Sequence, residues 1–156
     1  MYIPKTDMYT KWVVSKMKLN RAILQDLANI RFDEVKLLLD NGKYDGAYYL
    51  SGYVIEIALK ACFAKNVQQY DFPDKTTVTK HLFVHTLSSL LGTASLTPAF
   101  NEEKEITPQL DVNWTEVVKW SEESRYEKHS KEEAERMFDA ISSPNGGVFL
   151  WLKRHW

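Results

Sequence analysis

Cysteine is almost absent from this chain. Cys62 is the only one among 156 residues, so no intramolecular disulfide and no multi-cysteine zinc site can form. That pattern fits a reducing cytoplasm. Long hydrophobic runs are missing too: none reaches the roughly 20 residues that a membrane span needs. The opening Met1-Tyr2-Ile3-Pro4-Lys5-Thr6-Asp7 lacks the uninterrupted apolar core of a signal peptide. Neither sign of charge dominates, with 20 basic and 21 acidic residues and a net charge of −1. Whole-molecule attraction to nucleic acid or membrane is therefore excluded, and any RNA contact needs a local patch. The expectation is a soluble, cytoplasmic protein without membrane contact.

Catalytic boxes are equally scarce. No Ser-His-Asp set or pair of catalytic carboxylates stands out. The Gly146-Gly147 pair lacks the Lys-Ser/Thr that completes a phosphate loop. His81 and His85 stand four apart, but His-Leu-Phe-Val-His lacks the glutamate of a zinc-protease helix, and no third ligand suggests itself. No metal and no cofactor are expected.

What is present is apolar and aromatic. The chain is 44% hydrophobic, with five Trp, eight Tyr and seven Phe, which places it among globular proteins. One domain over 1–156 is expected, large enough to bury a proper core. Its centre is the stretch Asp45 to Lys65. At about 100° per residue, Ala47, Leu50, Val54, Ala58 and Ala61 share one side of a helix, and Ile55, Leu59, Cys62 and Phe63 cover the flanks. A helix apolar nearly all round is buried on most sides. Its internal charges, Glu56 and Lys60, stand four apart in the favourable order for an ion pair. Tyr49 and Tyr53 extend the same polar stripe.

The remaining elements also read as helical. Residues 6 to 18 suggest a short basic helix packed by Trp12. Asn20 opens a long helix to about Asp40, closed by Asn41-Gly42; the short connection makes it an antiparallel neighbour of the central helix. The chain loosens after Lys65, and a further helix spans His81 to Leu91. Residues 93 to 112, with Pro98, Pro108 and the acidic run Glu102, Glu103 and Glu105, read as a polar connection. Capping boxes at Asn113-x-x-Glu116 and Ser130-x-x-Glu133 each predict a helix start. A closing aromatic helix over 147–156 follows the Pro144–Gly147 turn, and could cover a partner surface. The fold class is all-α: an up-and-down antiparallel bundle of four to five main helices, with short extra helices at the termini. The core spans about 20–142, after an N-terminal arm at 1–19.

One constellation can carry chemistry. Arg125, Tyr126 and His129 fall at a helix junction, with Glu56 and Lys60 on the central helix. Arginine holds a phosphate bidentately, and histidine can move the proton of a ribose 2′-hydroxyl near neutral pH. Together they could cleave RNA without a metal. The bland alternative is that Arg125 pairs with Glu56 or another acid, Tyr126 packs, and His129 lies exposed before the next helix.

Several of these pieces together resemble a known family. Arg31, Gly42-Lys43-Tyr44-Asp45-Gly46-Ala47, Tyr49-Leu50-Ser51-Gly52-Tyr53-x-x-Glu56-x-x-x-Lys60-Ala61, His85-Thr86-Leu87 and Arg125-Tyr126 look like the HEPN (higher eukaryotes and prokaryotes nucleotide-binding) domain. The likeness covers roughly residues 20 to 142. The tail Gly147-Val148-x-x-Trp151-Leu152-Lys153 is similar to that of some small stand-alone members. The resemblance implies a helical bundle that usually forms a homodimer. Many members are ribonuclease toxins or RNA-processing domains, often silenced by a small nucleotidyltransferase acting as antitoxin; others bind nucleotides.

The family's ribonuclease signature is an arginine, four to six residues, then a histidine, completed across the dimer. Here three residues separate Arg125 from His129. Two readings follow. One is a metal-independent endoribonuclease of a toxin–antitoxin or defence system, in which Arg125 binds the scissile phosphate and His129 acts as acid and base. Glu56 would orient Arg125, with Lys60, Tyr53 and Tyr126 in support. The other is a non-catalytic nucleotide- or RNA-binding module, or the partner of a small nucleotidyltransferase.

Overall fold

A computed structural model describes residues 20–70 and 85–156. Its elements are α1 (Arg21–Asp40), α2 (Tyr44–Tyr70), α3 (Leu87–Thr93), α4 (Thr97–Ile106), α5 (Pro108–Val117), a 3₁₀ helix (Glu122–Tyr126), α6 (Lys131–Ser142) and α7 (Val148–Lys153). Among the described residues there is no strand. The architecture is the expected all-α bundle, and no described helix is long and apolar enough to cross a membrane. The basic helix expected over 6–18 lies outside the described residues.

Local chemistry sets the ends of α1. The Asn20 side chain accepts from the Ile23 N–H at 3.0 Å, which satisfies one of the unpaired donors of a helix start. At the other end Gly42 takes φ +68°. The Gly42 N–H then donates to Leu39 and the Lys43 N–H to Leu38, a Schellman closure that depends on a left-handed residue. Residues 41–43 reverse the chain, and α2 packs back along α1.

Helix α2 is the hub, contacting α1, α3, α6, α7 and the 3₁₀ helix. Ala47, Val54, Ile55, Ala58, Leu59, Ala61 and Cys62 are all buried on it. It continues to Tyr70, past the expected loosening at Lys65. Two further expectations fail between residues 93 and 117, where α4 and α5 replace the polar connection. Pro98 and Pro108 stand in their first turns, where proline is favoured because its missing N–H would be unpaired anyway. Phe100 and Leu110 anchor the pair in the core.

Asn113 caps nothing; it sits inside α5. Its side chain accepts from Gln109 and donates to the Gly146 carbonyl at 2.8 Å. The Ser130 box is real, with reciprocal bonds between Ser130 and Glu133. The described part of the helix expected over 81–91 begins only at Leu87 and runs to Thr93. Helix α7 is no free surface, since Val148, Phe149, Trp151 and Leu152 are buried in the same core as α2. That removes the idea of an aromatic tail waiting to cover a partner.

Candidate functional site

Positions 49, 53, 56 and 60 recur at helical spacing and form one stripe along α2. At its N-terminal end the Tyr49 and Tyr53 hydroxyls are hydrogen-bonded to each other at 3.2 Å. That bond, followed by burial, pushes the Tyr53 phenol up to about 12, so it stays protonated at any working pH. Trp120 completes an aromatic corner, edge-on to Tyr53 at 5.1 Å, with its Nε1–H donating to the Tyr49 carbonyl at 3.0 Å. Gly52 makes this seat possible: a Cβ there would land inside the Trp120 indole.

Lower on the stripe Glu56 is only 3% exposed, and both its oxygens are engaged. Lys60 Nζ lies 2.7 Å from Oε1, and His85 Nδ1 lies 3.0 Å from Oε2. The other nitrogen of His85 faces Glu122 Oε2 at 3.2 Å. Both ring nitrogens thus meet carboxylate oxygens. The chain Lys60–Glu56–His85–Glu122 ties α2, the entry to α3 and the 3₁₀ helix together. A buried carboxylate stripped of its partners would cost about 3–5 kcal/mol, so the chain is held in register.

The 3₁₀ helix carries Arg125 and Tyr126 at its end. The Arg125 guanidinium lies over the Tyr126 ring at 4.9 Å, and Tyr126 is 76% exposed. Tyr126 first, then Tyr49, Glu122 and Glu123, hold the Arg125 charge more firmly still. Among the described residues no carboxylate oxygen lies within 4.0 Å of Arg125. Glu56 is engaged elsewhere, and Arg125 is left as an open cation beside an exposed ring.

His129 has different neighbours. Its ring stacks on Tyr48, with centroids 3.7 Å apart and planes 13° from parallel. Its side chain is 9% exposed, and its backbone N–H donates to the Asp45 carboxylate. Nε2 has no hydrogen-bond partner and lies 3.6 Å from Glu127. The neighbours of His129 include Tyr48, Asp45, Glu127 and Glu133; those of Arg125 include Tyr126, Tyr49, Glu122 and Glu123. The bland reading of the junction is reversed on each count: Arg125 is unpaired among the described residues, Tyr126 is exposed, and His129 is packed.

Sequence reasoning singled out Glu56, Lys60, Tyr53, Arg125, Tyr126 and His129, but not His85, Glu122, Trp120 or Gly52 as parts of the site. His85 was visible as half of a possible metal pair with His81, a residue outside those described, and in the His85-Thr86-Leu87 piece of the family likeness. Among the described residues no group of three or more His, Cys, Asp or Glu side chains stands where one ion could join them.

The fold is an all-α bundle in which a buried Glu56 is joined to Lys60 and His85, with Arg125 open on the 3₁₀ helix. The chain belongs to the HEPN family: the HEPN domain model matches residues 24–143. A search of curated proteins and a search of solved structures each return no match.

Proposed function

We propose that the Arg125 face binds RNA or nucleotide phosphates. The observation that carries this reading is Arg125 itself: exposed, without a carboxylate partner among the described residues, and lying over the exposed ring of Tyr126. A guanidinium so placed can take a phosphate through two parallel N–H groups, while Tyr126 offers a face on which a base stacks. The His85–Glu122 contact anchors the 3₁₀ helix to α2, so the arginine is held by a packed element and not by a loose loop. With a net charge of −1, affinity comes from this patch and not from the whole molecule. Arg125→Ala should weaken binding of single-stranded RNA or nucleotide by about tenfold or more, the value of one charged hydrogen-bonding group at about 1.5–3 kcal/mol. Unchanged binding would overturn the reading.

A second reading is favoured by His129, whose Nε2 is buried without a hydrogen-bond partner. In a metal-independent endoribonuclease an imidazole would take the 2′-hydroxyl proton, and the 2′-oxygen would attack phosphorus as Arg125 stabilises the charge. The 5′-oxygen would then leave with a proton. His129 stacks on Tyr48 and Arg125 lies over Tyr126, so this reading pairs the two groups across a homodimer interface. Ile30 and Leu37, seven apart on α1, leave apolar surface that a second copy would cover. A nucleotidyltransferase-type antitoxin and a cytoplasmic toxin role belong to this reading. RNA cleavage in the presence of a chelator, lost in His129→Ala, supports it; binding without cleavage leaves the first reading alone.

A further inference from the structure

Helix α1 is covered on one side and open on the other. Ala28 and Val35 are buried, on the side where α1 packs against α2 and touches α6. At about 100° per residue, Ala22, Asp26, Ile30, Asp33, Leu37 and Asp40 fall opposite them, within an arc of about 80°. All six are exposed. Ile30 is 41% and Leu37 63% exposed, and they alternate with the three aspartates along the stripe. Among the described residues no cation lies within 4.0 Å of Asp26, Asp33 or Asp40. Arg31 is taken by Glu34 at 2.6 Å, and Lys36 stands exposed at the edge of the stripe.

We propose that residues 5–18 of the same chain cover this stripe. Residues 1–19 hold Lys5, Lys11, Lys16 and Lys18 against a single acid, Asp7. At helical spacing Met8 and Trp12 fall between Lys11 and Lys18 on one side and Lys5 and Lys16 on the other. An apolar line flanked by cations is the complement of an apolar line interleaved with acids. The lengths agree as well: at about 1.5 Å per residue, a helical 5–18 and the stripe over 26–40 would each span roughly 20 Å. Only Leu19 and Asn20 separate Lys18 from Arg21, and a loop of about two to five residues is what joins antiparallel helices. Asn20 is extended, at φ −126° and ψ 170°, so the chain leaves the helical path of α1 there.

The segment is tethered to the surface it covers, so it acts at an effective concentration on the order of millimolar. A second copy is the rival occupant, as in the ribonuclease reading above. Two α1 stripes related by a two-fold axis meet aspartate to aspartate, and like charges so placed repel. The lysines of 5–18 meet no such conflict. A segment docked within its own chain also decides whether a second copy reaches α1.

The test uses the full chain and a water-soluble carbodiimide. The reagent joins a lysine amine to a carboxylate in contact with it, forming an amide while the carbodiimide takes up the lost water and leaves as a urea. Mass spectrometry of the monomer should show links from Lys5 or Lys11 to Asp33 or Asp40. Links from Lys18 to Asp26 do not count, because the short connection alone allows them. Leu37→Asp should lower the counted links about fivefold or more, and raise trypsin cleavage after Lys11 by a similar factor. Val112→Asp, at a 61% exposed position on α5, should change neither. No such links in the parent, or equal links in Leu37→Asp, would overturn the proposal. Links found only between differently isotope-labelled chains, or a parent dimer that Leu37→Asp dissociates, would assign the stripe to a second copy and overturn it too. Protection of Lys11 only when single-stranded RNA is added would assign the lysines to RNA, with the same consequence.

Discussion

Gly52→Ala is the sharpest test of how the site is held. In an ordinary helix interior this change should stabilise, because alanine exceeds glycine in helix propensity by about 1 kcal/mol. Gly52 is not ordinary: the added methyl would occupy the space of the Trp120 indole. Trp120 is 3% exposed and is pinned through its Nε1–H to the Tyr49 carbonyl, so it cannot yield by a few tenths of an ångström. Loss of a buried aromatic side chain costs about 3–5 kcal/mol and sets the ceiling. After the propensity gain, a net loss of about 2–4 kcal/mol remains. In urea, with a slope of roughly 1–2 kcal/mol per molar, the midpoint should fall by at least roughly 1 M. Gly92→Ala is the internal control, since it too lies in a helix but has nothing within 4 Å of its added Cβ. It should be neutral or slightly stabilising. A Gly52→Ala protein as stable as the parent would refute the close approach of Trp120 to α2.

Two other outcomes follow from the same core. Glu56→Gln should destabilise by about 2–3 kcal/mol, less than the full penalty for breaking a buried pair because Lys60 and His85 both reach water; the midpoint of urea unfolding reads this directly. Burial pushes the Cys62 thiol up to about 12. Thiolate-directed alkylation should therefore be negligible at pH 8 in the folded protein and rapid once urea unfolds it, and fast labelling of the native chain would contradict the packing around Leu152.

What could be read in the sequence was what local chemistry decides. Asn20 and Ser130 cap helices because their side chains reach N–H groups three residues on, and that spacing is visible in one dimension. The burial of α2 was visible because its apolar residues leave no wide polar face. The prolines at 98 and 108 misled: they mark starts as readily as breaks, and only the anchoring of Phe100 and Leu110 in the core shows which. Asn113 shares a cap's spelling but spends its amide on the 146 carbonyl, a contact 33 residues away. The site was half legible. Glu56, Lys60, Arg125 and Tyr126 announced themselves by type and spacing, whereas the His85 bridge and the Trp120 seat on Gly52 exist only once distant segments meet. His129 was recognisable as a histidine near an arginine; that it stacks on Tyr48 depends on how α6 docks on α2.

An open Arg125 beside an exposed ring should form a phosphate contact. The most direct measurement is the salt dependence of binding of a labelled single-stranded RNA by the parent protein and Arg125→Ala, read by fluorescence anisotropy. Each phosphate contact contributes a slope of about −0.7 in log K against log salt for single strands. Arg125→Ala should bind about tenfold or more weakly, show a slope shallower by about one such contact, and unfold within about 0.5 kcal/mol of the parent because the side chain is exposed. Equal affinity and equal slope in the two proteins would contradict it.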